Sequence, residues 1–201
     1  MYSLKFNITL FFMIQCAFSG SLIAKSAHDY ATDTHQEIIN IIQSKQNLFR
    51  ENPEQFTEVI SQAFSPIVDF KRISKNVMGK YYKNASEAQR LRFSKVFQSS
   101  LLSTYSKTLV EFQDEKIVVI PPIEEVSKPN RAKVRIEIIT STKKYQGIYS
   151  MHLDQNSRWK IVNIYIAGVD LGRTFRNQFY SLMERNSKDY DLVIDTWEAS
   201  L

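Results

Sequence analysis

The apolar residues of this 201-residue chain change their period twice. From about Asp33 to Leu109 they recur every three or four residues. From Lys116 to Ile166 they alternate, and from Phe175 to Trp197 the longer spacing returns. The first spacing puts apolar side chains on one face of a helix, the second on one face of a strand. Helices before and after an antiparallel meander predict an α+β fold, with helices laid on one face of a sheet.

Local signals support these elements. Asn52-Pro53-Glu54-Gln55 reads as a helix start, with Asn as cap, Pro at the first helical position and an acid near the positive dipole end. Phe56, Val59, Ile60, Ala63 and Phe64 then share a face. Ile38, Ile39, Ile41, Ile42 and Leu48 predict an earlier helix, starting near Asp33 or Thr34. Asp69 caps a short helix carrying Phe70, Ile73, Val77 and Met78, which Gly79 ends. Ser86 and Gln89 form a capping box for the longest helix, whose stripe runs through Phe93, Val96, Phe97, Ser100, Leu101, Thr104, Tyr105 and Leu109. Strands are expected at 116–120, 133–140, 148–153 and 159–166, the last two joined by the polar turn Asp154–Arg158. Asp170 reads as the cap of the next helix.

The first residues carry a different message. Lys5 precedes an apolar run from Phe6 to Phe18, shorter than the roughly 20 residues that a spanning helix needs. Small residues follow: Ala17, Ser19, Gly20, Ser21, Ala24, Ser26 and Ala27. That order predicts a secretory signal over residues 1–24 and a single domain over 28–201. Cuts after Ser19, Ala24, Ser26 or Ala27 all fit the pattern. Cys16 lies within this stretch and follows Gln15, where a lipobox wants a small residue. The exported chain therefore holds no cysteine, and its stability must come from packing. Without Lys5 the charge is about +4 by count.

Motifs for chemistry are missing. The chain has no G-x-S-x-G, Walker, dinucleotide-binding or H-E-x-x-H pattern. His28, His35 and His152 are read as surface histidines, and the helically spaced Glu51, Glu54 and Glu58 as a solvated face. No metal, cofactor or catalytic residue is expected. Basic residues interleave with aromatics at Lys80-Tyr81-Tyr82-Lys83 and Arg173-Thr174-Phe175-Arg176. Export disfavours nucleic acid as a partner. A basic rim suits an anionic one, and phospholipid headgroups fit that compartment. Many large Phe, Tyr, Ile and Met side chains with only five Gly can fill a core or line a cavity, and periodicity alone does not separate the two.

Four segments together carry a family resemblance. They are Val68-Asp69-Phe70-Lys71-Arg72-Ile73-Ser74 through Val77-Met78-Gly79-Lys80-Tyr81-Tyr82 with Ala85 and Gln89-Arg90; Phe97 with Leu101-Leu102-Ser103-Thr104-Tyr105 and Leu109; Trp159–Ile164 with Ala167-Gly168-Val169-Asp170-Leu171; and Phe175-Arg176-Asn177-Gln178-Phe179. In this order and spacing, over about residues 35–197, the chain resembles the MlaC family of periplasmic phospholipid-binding, or toluene-tolerance, proteins. It departs from the family at Asn163, where Asp is frequent, and at Ala167, where Glu is common.

The resemblance implies a non-enzymatic periplasmic carrier. Such a protein would take phospholipid between an outer-membrane lipoprotein/porin complex and an inner-membrane Mla-type ABC transporter, maintaining outer-membrane lipid asymmetry. It also implies a helical layer on a curved, largely antiparallel sheet, cone-like and resembling the nuclear-transport-factor fold, with acyl chains between the two layers. Each buried CH₂ is worth about 0.8 kcal/mol, so a two-chain lipid needs an apolar wrapper to cross water. Placing that gap between the longest helix and the inward sheet face gives Phe97, Leu101, Tyr105, Ile136, Ile138, Tyr149, Met151, Ile164 and Ile166 as lining. Trp159, Ile161 and Tyr165 give the last strand a competing apolar face. The alternatives are a secreted enzyme or small-ligand binder on the same cone, or a paralogue of the HpnM subgroup, which is associated with hopanoid-type lipids.

Overall fold

The computed structural model describes residues 25–111, 116–122 and 128–199. The expected signal stretch and Cys16 lie outside these residues, as does the side chain of Leu109. Seven α-helices are described: α1 (Ala27–Ser44), α2 (Gln46–Glu51), α3 (Pro53–Phe64), α4 (Phe70–Met78), α5 (Glu87–Glu111), α6 (Leu171–Arg185) and α7 (Tyr190–Ala199). Between α5 and α6 run β1 (Lys116–Val119), β2 (Arg131–Ile139), β3 (Lys144–Leu153), β4 (Trp159–Ile166) and β5 (Val169–Asp170). They form one open antiparallel sheet in sequence order. The fold is α+β, as the change of period predicts.

Helix starts follow the sequence closely. Asn52 Oδ1 accepts from the Gln55 amide at 3.0 Å, and Asp69 Oδ1 from Arg72 at 2.8 Å. Ser86 and Gln89 exchange both bonds of their box. Gly79 has φ +51, and a Cβ there would overlap the Tyr180 hydroxyl oxygen, which accepts from the Lys80 amide at 2.8 Å. The main correction lies at α1, which starts at Ala27 rather than near Asp33, capped by the Ser26 hydroxyl on the Asp29 amide. Its buried stripe runs Ala27, Ala31, Thr34, Ile38 and Ile42. The first three are small or polar and give no large apolar signal, which hides the first two turns from a periodicity reading.

Two apolar cores share the domain. One joins α1, α2 and α3 to the inner face of the sheet through Ile38, Ile42, Phe56, Ile60, Val134, Ile136, Tyr149, Met151, Trp159 and Ile161. The other lies among α4, α5, α6 and α7. There Phe93, Phe97, Phe175, Phe179 and Trp197 pack as an aromatic cluster, with ring centroids from 4.8 Å for Phe93 and Phe179 to 6.4 Å for Phe175 and Trp197. Edge-to-face geometry at Phe93–Trp197 and Phe97–Phe175 sets ring edges against ring faces, as the aromatic quadrupole prefers.

This division corrects the expected partner of the sheet. Helix α5 packs on α3, α4 and α7, and the helix laid against β1 and β2 is α1. Phe97 is fully buried in the helical core and Leu101 packs on its margin, whereas Leu102 turns to the sheet core. Tyr105 is 44% exposed. The small buried residues of α1 suit a close approach of its backbone to the strands.

Strand β4 resolves the competing apolar faces. Trp159 and Ile161 pair with Leu153 and Met151, while Ile164 and Ile166 pair with Tyr149 and Gly147. The register slips between Ser150 and Met151, so a β-bulge with Val162 as the extra residue sits between the two sets. Both sets therefore face inward, and Val162, Asn163 and Tyr165 face outward.

We expect Phe97→Ala to lower unfolding free energy by about 3–5 kcal/mol, the usual cost of emptying a fully buried phenylalanine site. Tyr105→Ala should stay within about 0.5 kcal/mol, as exposed positions do. Urea unfolding of both variants checks the assignment of α5 to the helical core.

Candidate functional site

The large cavity of the described residues is an open cleft of about 1420 Å³. One wall is the polar face of α4. Phe70, Ile73, Val77 and Met78 turn into the two cores, so Lys71, Arg72, Lys75 and Asn76 turn the other way and line the cleft. The facing wall is the outer side of β2, β3 and β4. Antiparallel register sets its side chains in rows: Arg131 beside His152, Lys133 beside Ser150 and Asn163, Arg135 beside Ile148 and Tyr165.

Backbone bonds join the two walls along one edge. The Ile161 amide donates to Ile67 O at 2.8 Å, and the Asp69 amide donates to Ile161 O at 3.0 Å. The segment before α4 thus runs along the edge of β4, and Asp69 starts α4 where the bulge begins. Lys25, Ser26, Ala27 and His28 close one end of the cleft, and Pro122, Lys128 and Pro129 also contribute. Trp159, on the cleft wall, donates its indole N–H to Lys25 O at 2.9 Å.

The lining is chemically two-sided. Ile148, Met151, Leu153, Val162, Trp159, Ala27 and Ala132 supply apolar surface. Lys25, Lys71, Arg72, Lys75, Lys128, Arg131, Lys133 and Arg135 surround it with cations, against the single carboxylate of Asp69. That carboxylate is committed to the α4 cap and to Arg72, at 3.3 Å. Lys25 pairs with Asp33, and Arg135 donates to Pro121 O. A neighbouring hollow of about 420 Å³ extends the basic surface through Lys80, Lys83 and Arg176. The two basic-aromatic segments of the sequence meet there, with Lys80 over the rings of Tyr81 and Tyr180.

Of the nine residues expected as lining, Met151 borders the cleft. Ile136 and Tyr149 are buried in the sheet core, with Ile138 and Ile164 packed against it and Ile166 half-buried near Gly147. Phe97 and Leu101 belong to the helical core, and Tyr105 faces solvent. Among the described residues, side chains of α1, α2 and α3 pack against the inner sheet face. The cleft lies on the other side, where the outward Lys133 and Arg135 were visible in the alternation but nothing in the sequence showed what stands opposite them.

The histidines also depart from the surface reading. His35 lies at the α1–sheet contact, its Nε2 within 2.7 Å of the Tyr149 hydroxyl, with ring centroids 5.2 Å apart. Burial holds His35 down at about 4 and pushes the Tyr149 phenol up, so both are neutral at pH 7. His152 is half-buried in the cleft. Its Nδ1 is sequestered without a hydrogen-bond partner among the described residues. No cluster of three or more metal-ligating side chains occurs among the described residues.

A model of the MlaC protein family matches residues 32–199. The chain belongs to the MlaC family. It is similar to the toluene tolerance protein ttg2D of Pseudomonas putida, 29% identical over 182 residues that cover 90% of this chain and 84% of that protein. It is also similar to the intermembrane phospholipid transport system binding protein MlaC of Haemophilus influenzae, 23% identical over 175 residues, covering 84% of this chain and 78% of that one. Its fold matches that of the phospholipid-binding protein from Ralstonia solanacearum solved in complex with a phospholipid. The TM-score is 0.78 at 22% identity, over 87% of this chain and 98% of that one.

His35 makes the stability of this MlaC-family domain depend on pH. An unfolded histidine titrates near 6.5, and the folded one near 4. The contribution is fully present above 6.5 and is lost as pH falls toward 4, because the unfolded chain binds the proton first. Between pH 7 and pH 5 the wild-type protein should lose about 2 kcal/mol more than His35→Gln does. Urea unfolding of both proteins at the two pH values checks this.

Proposed function

We propose that this chain is a periplasmic phospholipid carrier that exchanges lipid between the outer membrane and an Mla-type transporter of the inner membrane, and so helps maintain outer-membrane lipid asymmetry. The observation that carries the reading is the cleft itself, an apolar floor under a cationic rim in a chain of the MlaC family. Its volume of about 1420 Å³ exceeds the roughly 300–1,000 Å³ of ordinary small-molecule pockets. Ile148 and Val162, the half-buried apolar side chains of the outer face, would meet acyl chain, and the lysines and arginines of the rim would meet the phosphate. The cargo is bound and released without covalent chemistry, so the protein is not an enzyme. Among the described residues, no helix is long and apolar enough to cross a membrane.

Ile148 offers the sharper test, because it is half-buried and outward-facing. Wild-type protein purified from cells should carry phospholipid in native mass spectra. Ile148→Glu should fold with an unchanged circular dichroism spectrum and lose most of that lipid. A well-folded Ile148→Glu protein with a full load would remove the lipid from this cleft. A polar metabolite in place of lipid would favour a small-ligand binder.

The fold also bears on export. Ser26 caps α1, and the Lys25 carbonyl accepts from Trp159. Cutting after Ser26 or Ala27 would remove both, and losing such a cap costs about 1 kcal/mol. The exported chain should therefore begin at or before Lys25. Intact-mass measurement of the periplasmic form checks this.

A further inference from the structure

We infer that the α4-facing part of the cleft is an anion site that makes the protein prefer phospholipids with a net negative headgroup over zwitterionic ones. The inference rests on the carrier reading and deepens it by naming the cargo class. Lys71 and Lys75 on α4 face Lys133 and Arg131 on β2 across the cleft. The side chains of Lys71, Arg131 and Lys133 form no ion pair or hydrogen bond among the described residues, and Lys75 lies 5.2 Å from the Tyr82 ring centroid. Asp69, the only acid of the lining, is already taken by Arg72 and the α4 cap.

Cations gathered on facing low-dielectric walls repel one another and focus a positive potential into the space between them. An anion entering that space relieves the repulsion. A zwitterionic headgroup brings its own ammonium, which cancels much of the gain; a phosphate with no attached cation keeps all of it. Packing explains the position of the α4 cations, since the opposite face of the helix is committed to both cores. It does not explain why β2 presents Arg131, Lys133 and Arg135 in alternation toward them.

The test uses the mature protein stripped of lipid and incubated separately with vesicles of phosphatidylglycerol and of phosphatidylethanolamine, matched in acyl chains. After separation from the vesicles, retained lipid is quantified by mass spectrometry. Phosphatidylglycerol should load about tenfold better at low salt, a preference of about 1.4 kcal/mol, and the preference should shrink at high salt. Lys71→Gln with Lys133→Gln, both at exposed positions, should bring the ratio of the two lipids to within about twofold. Lys45→Gln with Lys95→Gln removes the same charge outside the cleft and should leave the preference intact.

Equal loading of the two lipids overturns the anion site and leaves the carrier. Loading of neither lipid overturns the carrier reading, and the site with it. Inorganic phosphate separates the remaining source of the same chemistry. Saturable phosphate binding that Lys71→Gln/Lys133→Gln abolishes, together with equal lipid loading, would assign the site to a free phosphate rather than to a headgroup.

Discussion

The backbone of β4 is the constraint on which the rest depends. An antiparallel sheet leaves its last strand with unpaired donors and acceptors, and such an edge must be covered or it invites further pairing. Here β5 is two residues long and covers Tyr165 and Ile166 alone. The segment Ile67–Asp69 covers the middle through its two bonds to Ile161. The Asn163 side chain ties the stretch between to the start of α6, donating to Asp170 at 2.8 Å and accepting from the Gly172 amide at 3.0 Å. Each cover also starts a helix, because Asp69 caps α4 and Asp170 caps α6. Satisfying one strand edge therefore fixes the placement of the helical core relative to the sheet.

The bulge in the same strand decides what the two faces of the sheet can be. Without it, either Trp159 and Ile161 or Ile164 and Ile166 would face outward, since a one-residue slip moves every later side chain to the other face. With it, both sets enter the inner core and the outer face keeps Asn163, Tyr165 and the polar positions of β2 and β3. A cleft with cationic walls can exist there because the apolar residues of β4 were drawn to the other side, with Val162 left as apolar floor. Asn163 donates to Asp170, where an aspartate would set two carboxylates side by side. Ala167 stands in the β4–β5 turn with φ +51, followed by Gly168 at φ +82, a backbone that any side chain at position 167 must share.

Separating the apolar residues into two cores lets a domain without cysteine in its described part hold an open cleft. The helical core is dense in aromatics and draws its buried residues from outside the sheet, so α4 is anchored there by Ile73, Val77 and Met78. The sheet core is closed by α1, whose alanines allow a near approach and whose His35 satisfies the Tyr149 hydroxyl. The cost of that arrangement is a neutral histidine held against its tendency to protonate.

The sequence by itself determined the helix starts, the strand segments and the class of fold. Caps and turns are local: Asn52, Asp69, Ser86 and Asp170 each bond to an amide three residues on, so the information lies within one turn of chain. The family was legible for a related reason, since four short segments keep their order and spacing. The tertiary structure alone decided which faces meet. Periodicity says that Phe97 and Tyr149 are each on an apolar face but not that those faces belong to different cores. It says that Lys71 and Lys133 are each outward but not that they look at one another across 62 positions of sequence. Those outcomes depend on a bulge that alternation cannot reveal, on small residues in α1 that carry little hydrophobic signal, and on backbone bonds between segments distant in the chain. Such contacts are set by the competition of all surfaces for burial at once, and no local window contains them.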